Sequence, residues 1–440
     1  MNEKSLKNSA GIRLVIIAAM SLLLLIPAMM VRGVIKERKY RRISAIAEVS
    51  SKWGRPQTIA GPILTIPYKK YHKNSKGKIY TTLHYAHFLP NKLSIEGKLE
   101  PQIRYRGIYE VILYGSKLHV VGDFSLPPMK SLNIPQQNVI WKDAVLSVGI
   151  TDMKGINDTL KITWNNRRLI ANPGTQLAGA LPSGISAKAI TDQKNRKYSF
   201  AMDIQLNGSE QIHFVPLGKE TTVTVSSSWH TPSFVGEFLP ASRQIEDDRF
   251  AATWNVLHLN RNYPQIWLDK DYAISLSAFG VKFLTPVDEY QKTMRTAKYA
   301  LMFIVLTFLS FFMIEIMGGK TIHPVQYTLI GLALIIFYTL LLSLSEHILF
   351  QYSYGIASVC IVTIITAYAK SVLSSNRFTA VVGGILAVLY AFMYVILQLE
   401  DYALLLGSVG LFGILAFVMY LTRKLDWFAV LKNEKGQIEP

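Results

Sequence analysis

Four polar residues set beside long apolar runs are the first places to look for chemistry: Glu315, His323, Glu346 and His347. An ionisable group at a membrane segment gives up costly hydration, so a partner or a function must hold it there. Glu315 closes one apolar run, and Lys320 or His323 lies near enough in sequence to pair with it. The intervening Gly318-Gly319 makes that stretch a loop. Glu346 and His347 are adjacent, and adjacent positions on a helix do not face each other. They read as a polar cap on an apolar segment rather than an acid–base pair. His84 and His87 stand three apart in an alternating segment, where such positions point to opposite faces. They do not make a metal pair. No H-E-x-x-H, G-x-S-x-G, Walker loop or dinucleotide-binding glycine pattern occurs. No enzymatic activity, cofactor or metal site is expected.

These residues hang on six apolar segments: Leu14–Val31, Ala297–Met317, Tyr327–Ser345, Tyr354–Ala369, Phe378–Leu397 and Tyr402–Leu421. Most approach the ~20 residues that carry a helix across ~30 Å of hydrocarbon. The expected fold is a polytopic α-helical membrane protein, six helices split one and five around a large β-rich insertion. The boundaries expected are a cytoplasmic N terminus (1–13), helix one (14–31), a basic helical neck (32–55), the β-rich domain (56–296), a five-helix bundle (297–421) and a cytoplasmic tail (422–440). The first segment exceeds a signal-peptide core and lacks an A-x-A-like cleavage site, so it is expected to stay as an anchor. Gly383-Gly384 and Gly407-x-x-Gly410 inside spans read as close helix packing.

Short-loop cations set the orientation. Lys4, Lys7, Arg13, Lys320, Lys370, Arg377, Arg423, Lys424, Lys432 and Lys435 all fall on one side under this layout, the expected cytoplasmic side. The opposite short loops hold Glu346, Glu400 and Asp401 and no Lys or Arg. The chain carries a net charge of +18, and most of that excess lies in the insertion. Such a surface favours anionic phospholipid, phosphorylated glycolipid or acidic polymer. Nucleic acid is a poor candidate, since the insertion is expected outside the cytoplasm. Arg32, Lys36, Arg38, Lys39, Arg41 and Arg42 crowd the neck and are candidate anionic-lipid contacts. Cys360, the single cysteine, lies in a span, so the insertion has no disulfides. Oligomeric state is not legible.

Two-residue alternation marks the insertion as strands. Phe200, Met202, Ile204 and Leu206 alternate up to Asn207-Gly208, a dipeptide that predicts a type I′ hairpin. Tyr109, Val111, Leu113, Leu118, Val120 and Phe124 form another run, predicted to break at Gly115-Ser116. Pro127-Pro128 and Pro182-Ser183-Gly184 read as loops. The succession of strands without helical patterns predicts an antiparallel sandwich or barrel-like module.

Gly61-Pro62-Ile63-Leu64-Thr65-Ile66-Pro67, Pro232-Ser233-Phe234-Val235-Gly236-Glu237-Phe238-Leu239-Pro240 and Phe311-Phe312-Met313-Ile314-Glu315 resemble phrases of the CreD family of bacterial inner-membrane proteins, also called cell-envelope integrity proteins. His323-Pro324-Val325-Gln326-Tyr327, Asp401-Tyr402-Ala403-Leu404-Leu405-Leu406-Gly407-Ser408 and Thr422-Arg423-Lys424-Leu425-Asp426-Trp427 continue the likeness. The resemblance implies an inner-membrane protein tied to envelope integrity and stress response, and with the loop charges the insertion is expected in the periplasm. It implies no defined activity. A non-enzymatic module that binds an anionic envelope component or partner protein is the expected function. The alternatives are a transporter or lipid-handling protein, with Glu315, Glu346 and His347 lining a path, and a membrane-embedded hydrolase using the same residues.

Overall fold

A computed structural model describes residues 10–75, 78–177, 179–284, 289–318, 321–399 and 402–423. Lys4, Lys7, Lys320, Glu400, Asp401 and the tail from Lys424 lie outside the described residues. The chain divides into two units, Met1–Arg42 with Val287–Pro440, and Ile43–Pro286.

The first unit is helical. Helix α1 (Ala10–Leu23) is followed after one residue by α2 (Leu25–Trp53). The amide of Leu24 still bonds to the Met20 carbonyl at 2.9 Å, and that of Ala28 to Leu24 at 3.2 Å. The ladder therefore runs through the junction. Pro27 brings no N–H to the Leu23 carbonyl, so one rung is missing at the junction while the rungs beside it hold. The basic neck is thus no separate element: it is the continuation of the first span. Helices α3 (Glu289–Lys298), α4 (Ala300–Gly318), α5 (Pro324–Ser345), α6 (Phe350–Leu373), α7 (Asn376–Gln398) and α8 (Ala403–Thr422) follow. By length and composition, the α1–α2 run and α4 to α7 can each cross a membrane. Helix α8 is a further apolar helix of 20 residues. At the centre of this unit Phe337, fully buried, meets Tyr338, Tyr354 and Tyr390 edge to face, with centroids 5.0, 5.5 and 4.8 Å away. Such edge contacts use the opposite charge of ring face and rim. Gly331 lacks the Cβ that would strike Leu24, so α5 accepts the α1–α2 junction at close range.

The second unit is two sheets with one core. The first sheet orders its strands Pro232–Gly236, Phe279–Phe283, Gln211–Val215, Gln57–Lys73, Val145–Ile150, Gly184–Lys188, Ala171–Pro173. Strand Ile79–Phe88 pairs with Gln57–Lys73 and with Ile266–Leu268 beside that path. The second sheet runs Ser242–Ile245, Phe250–Leu257, Glu220–Ser227, Lys92–Arg106, Tyr109–Ser125, Lys197–Ser209, Lys161–Trp164, Arg167–Leu169. Side chains alternate across each strand, and the inward sets of both sheets join one apolar cluster that includes Ile63, Phe88, Val120, Trp164, Phe214 and Trp254.

Three expectations need correction. Two strand pairs are parallel: Gln57–Ala60 with Ile212–Val215, and Lys92–Leu99 with Glu220–Ser227. Tyr109–Ser125 does not break at Gly115-Ser116; it is one strand of 17 residues. Asn207-Gly208 makes no hairpin either. The strand runs on to Ser209, and Glu210, at φ 58°, turns the chain into the other sheet. Gly208 is needed there because a Cβ would enter the ring of buried Tyr114. The last turns of α2, which belong to this unit, rest on it through Trp53, whose indole N–H donates to the Tyr114 carbonyl at 3.3 Å.

Candidate functional site

The carboxylate of Glu315, on the last turn of α4, is only 4% exposed. It accepts from the Arg13 guanidinium at 3.1 Å, from the Tyr327 hydroxyl at 3.0 Å and from the Ile322 amide at 3.2 Å. Arg13 comes from α1, 302 residues away. The partners anticipated were Lys320 and His323. Lys320 lies outside the described residues, and His323 serves another purpose. Its backbone N–H is received by the Gln326 side chain at 3.0 Å, and its Nδ1 accepts from the Val325 amide at 3.3 Å. This reciprocal box starts α5 just before Pro324, the residue best suited to a first helical position. Arg13, Glu315, His323 and Tyr327 line a cavity of about 210 Å³.

Glu346 caps the other end of α5 and is arranged in the same way. It accepts from Tyr290 Oη at 2.9 Å and pairs with Arg38 at 3.7 Å. His347 next to it is exposed. Each carboxylate is therefore bound by a Tyr and by an Arg from the N-terminal helical run. Of the six neck cations, Arg32 donates to the carbonyls of Ala297 and Lys298 at 3.1 and 3.3 Å. Cations suit such helix C-terminal carbonyls. Arg41 pairs with Glu37 at 2.7 Å, and Lys36 lies over the Tyr40 ring at 5.8 Å. Lys39 and Arg42 also make contacts within the chain. Cys360 faces outward from α6.

A second cluster sits on the β unit. Strands Gln57–Lys73 and Ile79–Phe88 form a ribbon with a buried base, Ile59–Tyr68 on the first strand and Ala86–Phe88 on the second. Beyond it Lys69, Lys70, Tyr71, Lys73, Lys78, Ile79 and Tyr80 are all exposed. On one face of this ribbon, His72 Nε2 and His84 Nε2 each lie 2.9 Å from Thr82 Oγ1. His84 Nδ1 reaches Asp269 Oδ2 at 2.5 Å. Asp269 also accepts from the Tyr85 amide at 3.0 Å and the Tyr68 hydroxyl at 3.3 Å. Burial works against its charge, but these donors win and hold its carboxyl below the usual range. Burial and the same carboxylate push the Tyr68 phenol up to about 12. His87, on the opposite face, is buried against Thr65 (3.0 Å) and Trp267. That desolvation lowers its imidazole to about 4, so it is neutral at pH 7.

The sequence exposed Glu315, Glu346 and His323 but missed what holds them. In the sequence Arg13 is only an orientation charge, and nothing in the spacing links it to Glu315. The ribbon cluster was missed too. His72, Thr82 and His84 do sit at strand spacing, whereas Asp269 arrives from a distant segment with no signal.

The comparisons agree with this architecture. Residues 9–428 match the family described as Inner membrane protein CreD. One relative, named Inner membrane protein CreD, from Escherichia coli (strain K12), is 33% identical over 420 residues, covering 93% of this chain and 91% of the relative. With the match spanning the helices and the β unit alike, the chain belongs to the CreD family of inner membrane proteins.

Proposed function

We propose that this chain is a non-enzymatic envelope-integrity module. Its termini are cytoplasmic, its β unit is periplasmic, and it binds an anionic envelope component through the exposed ribbon. The observation that carries this reading is the ribbon's composition outside the core. Lys69, Lys70, Lys73 and Lys78 alternate with exposed Tyr71, Ile79 and Tyr80. Exposed apolar groups among cations suit a ligand with phosphate charge beside apolar or sugar surface. The orientation rests on the Lys and Arg of the short loops. The partners found for Glu315 and Glu346 fit a structural use of both carboxylates, which favours binding over transport or hydrolysis.

The full chain in zwitterionic nanodiscs, titrated with fluorescent lipopolysaccharide, tests the reading. Lys69→Glu/Lys70→Glu/Lys73→Glu is expected to weaken binding at least tenfold, and added salt to weaken the wild type. Equal binding by the variant would sink the ribbon as the contact. Photo-cross-linkers placed at Tyr71 and Tyr80 in cells should capture lipid or glycolipid.

A further inference from the structure

We propose that His72 and His84 form a divalent transition-metal site, with Asp269 as the carboxylate that orients His84. Two separate strands bring these imidazoles together. His72 pairs with Tyr80 and His84 with Tyr68 across the ribbon, and each ring rests against its partner, at 5.2 and 5.6 Å between centroids. Only the small Thr82 stands between them. Both Nε2 atoms converge on its hydroxyl from 2.9 Å, and the ring centroids are 6.3 Å apart. Two imidazoles on one zinc, with bonds of about 2.0–2.1 Å, need this spacing to close by roughly 1 Å. Both histidines are half-buried on a ribbon whose neighbouring residues are exposed, and side-chain rotation accommodates that.

The protons are arranged for ligation. Asp269, 2.5 Å from Nδ1, favours the His84 tautomer with its proton there, which turns the Nε2 lone pair toward Thr82. A carboxylate bound to the far nitrogen of a ligating imidazole fixes the tautomer and raises its basicity. Asp269 is itself held by two further donors, the Tyr85 amide and the Tyr68 hydroxyl. The His84 side chain is 24% exposed, so water can complete the coordination. Imidazole donors suit Zn2+ and Cu2+ rather than Mg2+ or Ca2+. Lys70 lies directly opposite Thr82 and shares that face. Its charge opposes the metal, and the Asp269 carboxylate offsets it.

Zn2+ alone is the probe, titrated against a chromogenic chelator with the untagged full chain in detergent, previously stripped of metal. One strong Zn2+ equivalent is expected, weakened at least tenfold in His72→Ala and in His84→Ala. Asp269→Asn should weaken it about tenfold, and Lys70→Ala should tighten it severalfold. His119→Ala serves as the control, since His119 also pairs with a carboxylate, Asp203 at 2.7 Å, and has no second imidazole; it should change nothing. With Cu2+, spin resonance should report two imidazole nitrogens in the wild type and fewer in either His variant. Undiminished Zn2+ affinity in His72→Ala/His84→Ala, or no Zn2+ bound by the wild type, overturns the site. Neither assay contains anionic lipid, so its outcome is independent of the ribbon's proposed ligand.

Discussion

At the scale of single residues, the buried carboxylate of Glu315 is the most consequential group in the membrane unit. Glu315→Ala would leave the Tyr327 hydroxyl and the Ile322 amide without this acceptor and take the carboxylate away from Arg13. Breaking one side of a buried pair costs far more than the pair itself contributes. A loss of about 3 kcal/mol is expected, read as a lowered Tm of the detergent-purified chain. Glu315→Gln keeps an acceptor oxygen and should lose less. Arg13→Ala/Glu315→Gln should fall short of the sum of its parts by about 1 kcal/mol, as contacting residues do; strict additivity would mean that the two do not interact. His87 gives a pH prediction. Its folded value is about 4 against 6.5 when free, so the unfolded chain binds the extra proton between those values. Stability is therefore full above pH 6.5 and falls as pH drops toward 4, by about 3 kcal/mol in total. The urea midpoint followed by tryptophan fluorescence should show this slope, and His87→Gln should flatten it.

At the scale of elements, the passage from Lys197–Ser209 into Gln211–Val215 separates what local sequence encodes from what packing decides. Gly208→Ala drives a methyl group into Tyr114 and should cost about 1–3 kcal/mol. Glu210→Gly relieves a side chain held at φ 58° and should stabilise by up to about 1 kcal/mol. Were Asn207-Gly208 the turn, Gly208 would be the position demanding positive φ and Glu210 would gain nothing. Denaturation of the two variants discriminates these cases. The alternation of Phe200, Met202, Ile204 and Leu206 was fully legible, because a strand's two faces are written in its own residues. The destination of the next strand was not, since Gln211–Val215 pairs with Gln57–Ala60 and Phe279–Phe283, partners far away in the chain. The site divides similarly. Glu315 and Glu346 stand out against apolar sequence, whereas Arg13, Arg38 and Asp269 are ordinary charges until the fold delivers them.

At the scale of the whole molecule, hydropathy laid out the membrane helices well, and the polar neck hid only the continuity of α1 and α2. The orientation proposed above predicts an accessibility pattern. With Cys360 replaced by Ala, a cysteine at Ser131 in the β unit should react with an impermeant maleimide in spheroplasts. One at Ser374, between α6 and α7, should react only after lysis. The reverse pattern would invert the layout. The rims of the two sheets carry a last consequence. Their outermost strands are Pro232–Gly236, Ala171–Pro173, Ser242–Ile245, Arg167–Leu169 and, beside the first path, Ile266–Leu268, none longer than five residues. Two contain proline and two contain arginine, features that deny a neighbouring chain a template for strand addition. A disulfide-free protein fixed in a membrane meets its own copies at high local density, where open rims would seed fibrils. At these short margins a neighbouring copy finds no long strand to extend.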